Sequence, residues 1–477
     1  MRRLIFLCSG LALAGVAGCA TDRSGDAFAD VRETVADRGG YAVAWDGVEP
    51  PNRSALYDDL LGDGALDADE AVQLALLNNA GLQADLDALG IAGGELLAAS
   101  LLPNPMLDAS VRFVEGGGGE IIELGLAQNV LDALLIPRRR AVASQALAMT
   151  QAEAAAAVLD LAAETRTAYR RYQAQLARVE LYENVVDATY LAADMARRLR
   201  AAGNVIELDV LQEEALYQDA RLRLAEAQGE SMRRRDALAA LLGLWGETAA
   251  GWSVPPRLPE PEPLDVDAAT LVPEVLANSL DLEARRRQVN VVARQAGVRS
   301  FESILPDLDA GADAEREADG EWSIGPAIGV GVPIFNFGQG VRTEYHARLR
   351  QAMNRYAAEA VRLRAETRSA YTTAATTANT SRYLREVLLP LRNDVTQQTQ
   401  LQFNAMQVGV FRLLDAKRDE IDAAERYLTA LEDHWSARIR LETLQMGRLP
   451  QSRFGIDAGG SGGDDMPTGD SPAQGGH

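Results

Sequence analysis

Glu164-Thr-Arg-Thr-Ala-Tyr169 and Glu366-Thr-Arg-Ser-Ala-Tyr371 occupy matching places in two halves of a 477-residue chain. Around each block the same signals follow in order: a helix, Leu-Pro, two short alternating segments, a very long helix, a Gly break and a shorter helix. Leu102-Pro103 answers Leu305-Pro306, and Gly203 with Leu208-Asp209 answers Gly409 with Leu414-Asp415, at an offset drifting from about 202 to 206. A duplication of this length marks a unit assembled from repeated structure. Shape, more than any single side chain, is expected to carry the function.

The helical pattern places one helix from Asp67 or Asp69 to about Leu102, with Val72, Leu76, Leu82, Leu86, Leu89 and Leu96 apolar, ended by Pro103 and Pro105. Strict alternation follows. Leu107, Ala109, Val111 and Phe113 oppose Asp108, Ser110 and Arg112; Gly116 to Gly119 makes a turn; Ile122, Leu124 and Leu126 share one face of a second strand. The second half repeats this, with Leu308, Ala310, Ala312 and Ala314 opposing Asp307, Asp309, Asp313 and Glu315, and then Trp322, Ile324, Ile328, Val330 and Val332 opposing small residues. The strands are expected at about 106-114, 121-130, 307-315 and 322-334. Period two with one small or acidic face reads as a membrane β-barrel strand, and on these strands alone more readily as a half-buried soluble hairpin.

The long helices weigh on that choice. Arg138 to Ala202 contains neither Pro nor Gly, about 65 residues and roughly 97 Å of helix. Glu344 to Gln407 is similar, with Pro390 expected to kink it. Two apolar seams run along the first, one through Tyr169, Tyr172, Leu176 and Val179, the other through Leu181, Val185, Ala188 and Ala192. Seams at different heptad phases imply a neighbour on each side. Helices packed side to side and wet on their other two faces form the wall of a tube. The returning helices, Asp209 to about Leu244 and Leu414 to about Gln445, are each roughly 50 Å, as are those at 68 to 102 and 268 to 303. Two short helices end to end would therefore match one long helix.

The fold class is thus mainly α with a small β part, in duplicated helical hairpins. The expected organisation is a signal peptide over 1-18, an irregular lead over 19-66, repeats over 67-250 and 267-448, a proline-rich linker over 251-266 and a disordered tail over 449-477. Arg2 and Arg3 precede an apolar run, and Val16-Ala17-Gly18-Cys19 resembles a bacterial lipobox, which would make Cys19 the lipidation site. Cys8 falls in the removed segment, so no disulfide can form within the mature chain. A net charge of −22 excludes a nucleic-acid partner. No apolar run of about 18 residues follows Cys19, so no transmembrane helix is expected. His346, His434 and His477 lie far apart, and no metal-ligand spacing, nucleophile elbow or phosphate loop occurs, so neither enzyme activity nor a metal site nor a cofactor is expected.

An open strand edge in a bilayer leaves costly unpaired peptide groups, and the smallest ordinary membrane barrels need eight strands. Four strands per chain therefore never meet lipid, or several copies share one barrel. Here the sequence resembles the TolC-like outer-membrane efflux family over about residues 67 to 448. The resemblance rests on Glu70-Ala71-Val72 to Asn78-Asn79, Leu102-Pro103-Asn104-Pro105, Ala202-Gly203 to Leu208-Asp209, Val332-Pro333-Ile334-Phe335-Asn336-Phe337-Gly338 and Val408-Gly409 to Leu414-Asp415. It implies a homotrimer pooling twelve strands over a periplasmic α-barrel in the outer membrane. It also implies passive export of drugs or heavy metals after docking with a periplasmic adaptor and an inner-membrane pump of RND type. One departure is the longer join from Gln128 to Pro137, where the second repeat has the compact Phe335-Asn336-Phe337-Gly338. That corner is similar to members associated with copper or other heavy-metal export.

The resemblance makes the Gly-marked turns the adaptor contact and the gate, with Gly203, Val205, Ile206, Leu208, Asp209, Val408, Gly409, Val410, Phe411 and Asp415 as candidates. Gly203 and Gly409 are expected at positive φ; Asp209 and Asp415 would form carboxylate rings in a trimer or simply cap the returning helices. Asp307, Asp309, Asp313 and Glu315 would line the lumen or merely a solvated sheet face. Two other readings stand beside the channel: a lipid-tethered periplasmic coiled-coil scaffold, and the outer duct of a type I secretion system. Replacing Cys19 by Ala is expected to leave the chain unacylated and to weaken membrane association; undiminished lipid labelling of that variant would refute the lipobox.

Overall fold

The computed structural model describes residues 24–48, 50, 52, 64–113, 120–249, 251–262, 268–317 and 319–451. Cys19, the signal segment, the Gly116 to Gly119 turn and the tail beyond Gln451 lie outside the described residues. Among the described residues, ten α-helices and four strands run in the order α1 (Ser24–Gly39), α2 (Ala68–Asn78), α3 (Ala80–Ala98), β1 (Met106–Phe113), β2 (Glu120–Asn129), α4 (Val130–Ala201), α5 (Glu207–Leu241), α6 (Ala268–Asn278), α7 (Leu280–Ile304), β3 (Leu308–Arg316), β4 (Trp322–Val330), α8 (Gln339–Tyr383), α9 (Leu389–Asn404) and α10 (Val410–Gln445).

The lead is not irregular throughout. Phe28, Val31 and Val35 fall at helical spacing, and α1 buries all three in the main core against Trp45 and α4. The helix expected from Asp67 to Leu102 is two helices. Asp67 starts the first through a reciprocal cap with Glu70, and Asn79 both ends it and caps α3, its side chain accepting from the Leu82 amide at 3.0 Å. Ser279 repeats that break between α6 and α7. Short polar side chains compete for backbone amides, so the break is local chemistry duplicated with the rest. Each break is a joint for the end of its own repeat. Asn78 donates to the carbonyls of Leu242 and Gly243, and the Leu280 amide donates to the Gly447 carbonyl at 2.8 Å. Gly243 and Gly447 both have positive φ, and a Cβ on either would overlap the carbonyl of Asn78 or Asn278.

α4 is 72 residues long and begins well before Pro137, which it carries inside. Asn129 sets its start by accepting from the Asp132 amide at 2.8 Å, and the ensuing turns absorb the missing proline amide. The join that looked longer in the first repeat is therefore helix. In the second repeat Gly338, at φ 74°, turns the chain into α8. Pro390 neither ends nor sharply breaks the helical run; a π-helical turn at Leu384–Leu388 precedes it and joins α8 to α9.

The sheet is antiparallel in the order β1-β2-β3-β4. Strand pairing puts Val111, Ile122, Leu124, Ala314 and Ile324 on one face. Asp108, Gly125, Asp313 and Gly325 form one row of the opposite face, and Glu123, Glu315 and Ser323 form the next. β4 ends at Val330, short of the expected position 334; the Gly331 amide still keeps the register by donating to the Asp307 carbonyl at 2.9 Å, and Pro333 beyond it has no amide to offer. Neither the outer edge of β1 nor that of β4 is paired among the described residues.

Below the sheet the core is helical. α4 packs on α3, α5, α7 and α10, so its upper and lower halves have different neighbours, as the length match implied. Residues 251–262 lie across the hairpins: Gln173 donates to the Pro255 carbonyl at 2.8 Å and Trp435 to that of Pro259 at 3.0 Å. Arg448, buried just after α10, pairs with Asp160 of α4 at 2.6 Å and with Asp281 of α7, welding the second repeat to the first. Removing one partner of a buried ion pair strands the others, so Arg448→Ala is expected to cost about 3–5 kcal/mol. Chemical denaturation of the variant checks this; a midpoint unchanged from the parent would refute the weld.

Candidate functional site

The two hairpin tips differ in a way the glycines did not announce. α4 ends through Ala202 and Gly203, at φ 79°, with the Asn204 amide reaching back to the Leu199 carbonyl at 2.9 Å. In the second hairpin that left-handed place belongs to Met406, at φ 59°, with Gln407 reaching back to Gln402 at 2.9 Å. Gly409 has φ −78° and caps α10, corresponding to Ile206. The expectation of positive φ thus holds for Gly203 and fails for Gly409, because the chain turns three residues earlier than the glycine suggests. Met406 is 93% exposed in a conformation that disfavours a side chain. Asp209 is not the cap residue itself: from the third helical position its carboxylate accepts the Ile206 amide at 3.2 Å.

Aligning the turns this way pairs Ala220 with Ala423 and Ala227 with Ala430, all buried at heptad spacing on the returning helices. Small residues let paired helices approach closely. One heptad nearer the tip, Ala416 occupies the second seam and Glu213 the first. Glu213 is 2% exposed, and one of its carboxylate oxygens has no hydrogen-bond partner among the described residues. Burial pushes its pKa up and Asp209 adds to this, against the opposing influence of Arg418.

Between the hairpins α10 offers acids at heptad spacing. Glu432 accepts from Arg178 of α4 at 2.7 Å and Arg234 of α5 at 3.0 Å. One heptad toward the tip, Glu425 accepts from the Tyr182 hydroxyl and pairs with Arg223 at 3.5 Å. Burial and that carboxylate push Tyr182 up to about 12. A further heptad down stands Arg418, and there the hairpins part around a groove of about 810 Å³. Val205, Asp209, Gly409, Val410 and Phe411 line it together with Glu213. Leu208, Ile206 and Asp415 are exposed and outside its lining, and Gly203 and Val408 also lie apart from it. The ladder of Arg178, Tyr182, Arg223, Glu425 and Glu432 was missed in the sequence, although the seven-residue spacing of Arg418, Glu425 and Glu432 signals one face.

At the other end, Asp309, Asp313 and Glu315 share the polar sheet face with Asp108 and Glu123, and Asp307 precedes β3. Arg112 and Ser110 engage Glu123 there. Among the described residues no cluster of three or more His, Cys, Asp or Glu could hold a metal ion.

An antiparallel sheet with one apolar face, joined end-on to hairpins this long, matches solved outer-membrane proteins. The Campylobacter jejuni CmeC outer membrane channel aligns with a TM-score of 0.69 at 15% identity, covering 81% of this chain and 87% of CmeC. The chain has a TolC-like outer-membrane-channel fold. The outer membrane protein VceC of Vibrio cholerae aligns at TM-score 0.67 and 18% identity, over 80% of this chain and 96% of VceC. In sequence, the cobalt-zinc-cadmium resistance protein CzcC of Cupriavidus metallidurans is 25% identical over 394 residues, 81% of this chain and 91% of CzcC. No protein-family model matches the chain.

In this TolC-like chain Glu213→Ala would copy the second repeat's seam into the first. A carboxyl whose folded pKa is raised contributes stability at low pH that is lost as pH rises through the folded value. The parent tip is therefore expected to loosen from acidic toward neutral pH, and Glu213→Ala to remove that dependence while stabilising the neutral-pH hairpin by about 1 kcal/mol. Amide hydrogen exchange across α4 and α5 checks both; faster exchange in the variant at neutral pH would refute the account.

Proposed function

We propose that three copies of this chain form an outer-membrane efflux channel. The sheet carries the reading: one face is apolar across four strands, the other is acidic and glycine-rich, and both edges are unpaired. In lipid each unpaired peptide group costs several kcal/mol, which only closure into a barrel removes. Three sheets of four strands supply twelve, with Asp307, Asp309, Asp313 and Glu315 facing the lumen. The helices continue the wall into the periplasm, and the tips around Gly203, Asp209, Gly409 and Phe411 meet a periplasmic adaptor coupled to an inner-membrane pump of RND type. Cys19 carries the lipid anchor.

Heavy-metal ions are the favoured cargo. The acidic lumen face concentrates cations, and CzcC, a metal-resistance protein, spans most of the chain. A periplasmic scaffold would leave the apolar sheet face in water, which disfavours it.

Refolded protein is expected to migrate as a heat-dissociable trimer and to conduct in planar bilayers with preference for cations. A monomer without conductance would sink the channel, and a conducting trimer that prefers anions would sink the metal-ion cargo.

A further inference from the structure

Where the chain passes between sheet and helices, it exposes large apolar side chains at every crossing. These are Leu102 before β1, Leu134 after β2, Ile304 before β3, and Ile334, Phe335 and Phe337 after β4. Phe335 is 91% exposed and Ile334 65%. All lie close in sequence to a strand end, so the rim has the composition of a surface that meets hydrocarbon.

Just beneath the rim the charge reverses. In a chain of net charge −22, α4 carries Arg138-Arg139-Arg140 in its third turn, and α8 carries Arg342, Arg348 and Arg350 near its start against one acid, Glu344. The acids on these helix ends are engaged. Asp132 and Glu302 pair with Arg139 at 2.6 and 3.1 Å, Glu302 also with Arg299 at 3.1 Å, and Glu344 with Arg348 at 2.5 Å. Arg138, Arg140, Arg342 and Arg350 are exposed and make no ion pair among the described residues. Arg138 lies over the Phe301 ring at 4.6 Å, and Arg342 donates to the Phe337 carbonyl at 3.2 Å.

These four residues sit roughly 5–17 Å along α4 and α8 from the helix starts. Their Cβ atoms lean toward the helix N-termini, which is toward the sheet. Long stems lie along apolar surface while the guanidinium seeks anionic, hydrated groups. An apolar rim above a cationic collar, at a depth just outside the hydrocarbon, is complementary to a phospholipid: acyl chains above, phosphate below.

We propose that this collar binds the headgroups of anionic phospholipids in the periplasmic leaflet, with Phe335 and its neighbours seated among the acyl chains. The inference rests on the channel reading, since it needs the sheet in the membrane. It adds a lipid-selective site, built from Arg138, Arg140, Arg342 and Arg350, that fixes the height of the channel in the bilayer.

The test uses the full-length protein in nanodiscs of phosphatidylcholine containing phosphatidylglycerol. The parent is expected to retain phosphatidylglycerol in preference to phosphatidylcholine, and Arg→Gln changes at the four positions to lose roughly fivefold of that preference each. A separate Phe335→Trp variant is expected to be quenched, relative to the parent, by phosphatidylglycerol brominated on its acyl chains. Three results would overturn the proposal: an undiminished preference in the fourfold variant, displacement of phosphatidylglycerol from the parent by inorganic phosphate, or a Phe335→Trp variant that conducts yet shows no added quenching. Conductance of the same samples reports separately on the channel reading, so the two can fail apart.

Discussion

Backbone amides at the edges of a four-stranded sheet govern the architecture. In hydrocarbon they must pair, and within one chain the described strands leave both outer edges open. In the channel we propose, closure by copies sets a perimeter, and the helical tier beneath has to supply the same perimeter at every depth. That demand gives α4 its two sets of neighbours, α3 and α7 above and α5 and α10 below. Neither short helix could span the tier alone. The joints at Asn79 and Ser279, each clasping the end of its own repeat, are where one short helix hands over to the next.

The lower tier is held by two kinds of contact with different tolerance. Within each hairpin, alanines at heptad spacing allow close packing that leaves little freedom once made. Between hairpins, the links are polar, through Glu432 and Glu425, and they stop where Arg418 faces the groove. The Glu432 rung is largely sheltered, whereas the Arg223–Glu425 pair nearer the tip is more exposed and individually weak. The tip region therefore combines rigid hairpins with a loose seam. Glu213, a carboxylate where the sister repeat has alanine, lowers the local stability of the first hairpin further.

Much of this was legible from residue order. Strand alternation carried the two faces of the sheet because side chains in strands point alternately, and cross-strand partners share a face in any register that keeps the apolar set together. Asp309, Asp313 and Glu315 therefore share one polar face, as alternation predicts. The turns were less legible. Gly203 and Gly409 look equivalent in sequence, yet Met406 takes the strained place, because helix ends are decided by which carbonyls remain unpaired and not by the nearest glycine. Pro137 misled for the same reason: a cap at Asn129 outweighed one missing amide.

Residue order alone established a duplicated, mostly helical chain with four two-faced strands, since periodicity is a local property written into each segment. Tertiary structure alone decided which residues stand opposite one another across helices far apart in sequence. It brought Arg178 and Arg234 to Glu432 and placed Arg448 between Asp160 and Asp281. Such pairings depend on helix rotation and axial offset, and these come from the packing of whole hairpins, which no local pattern records.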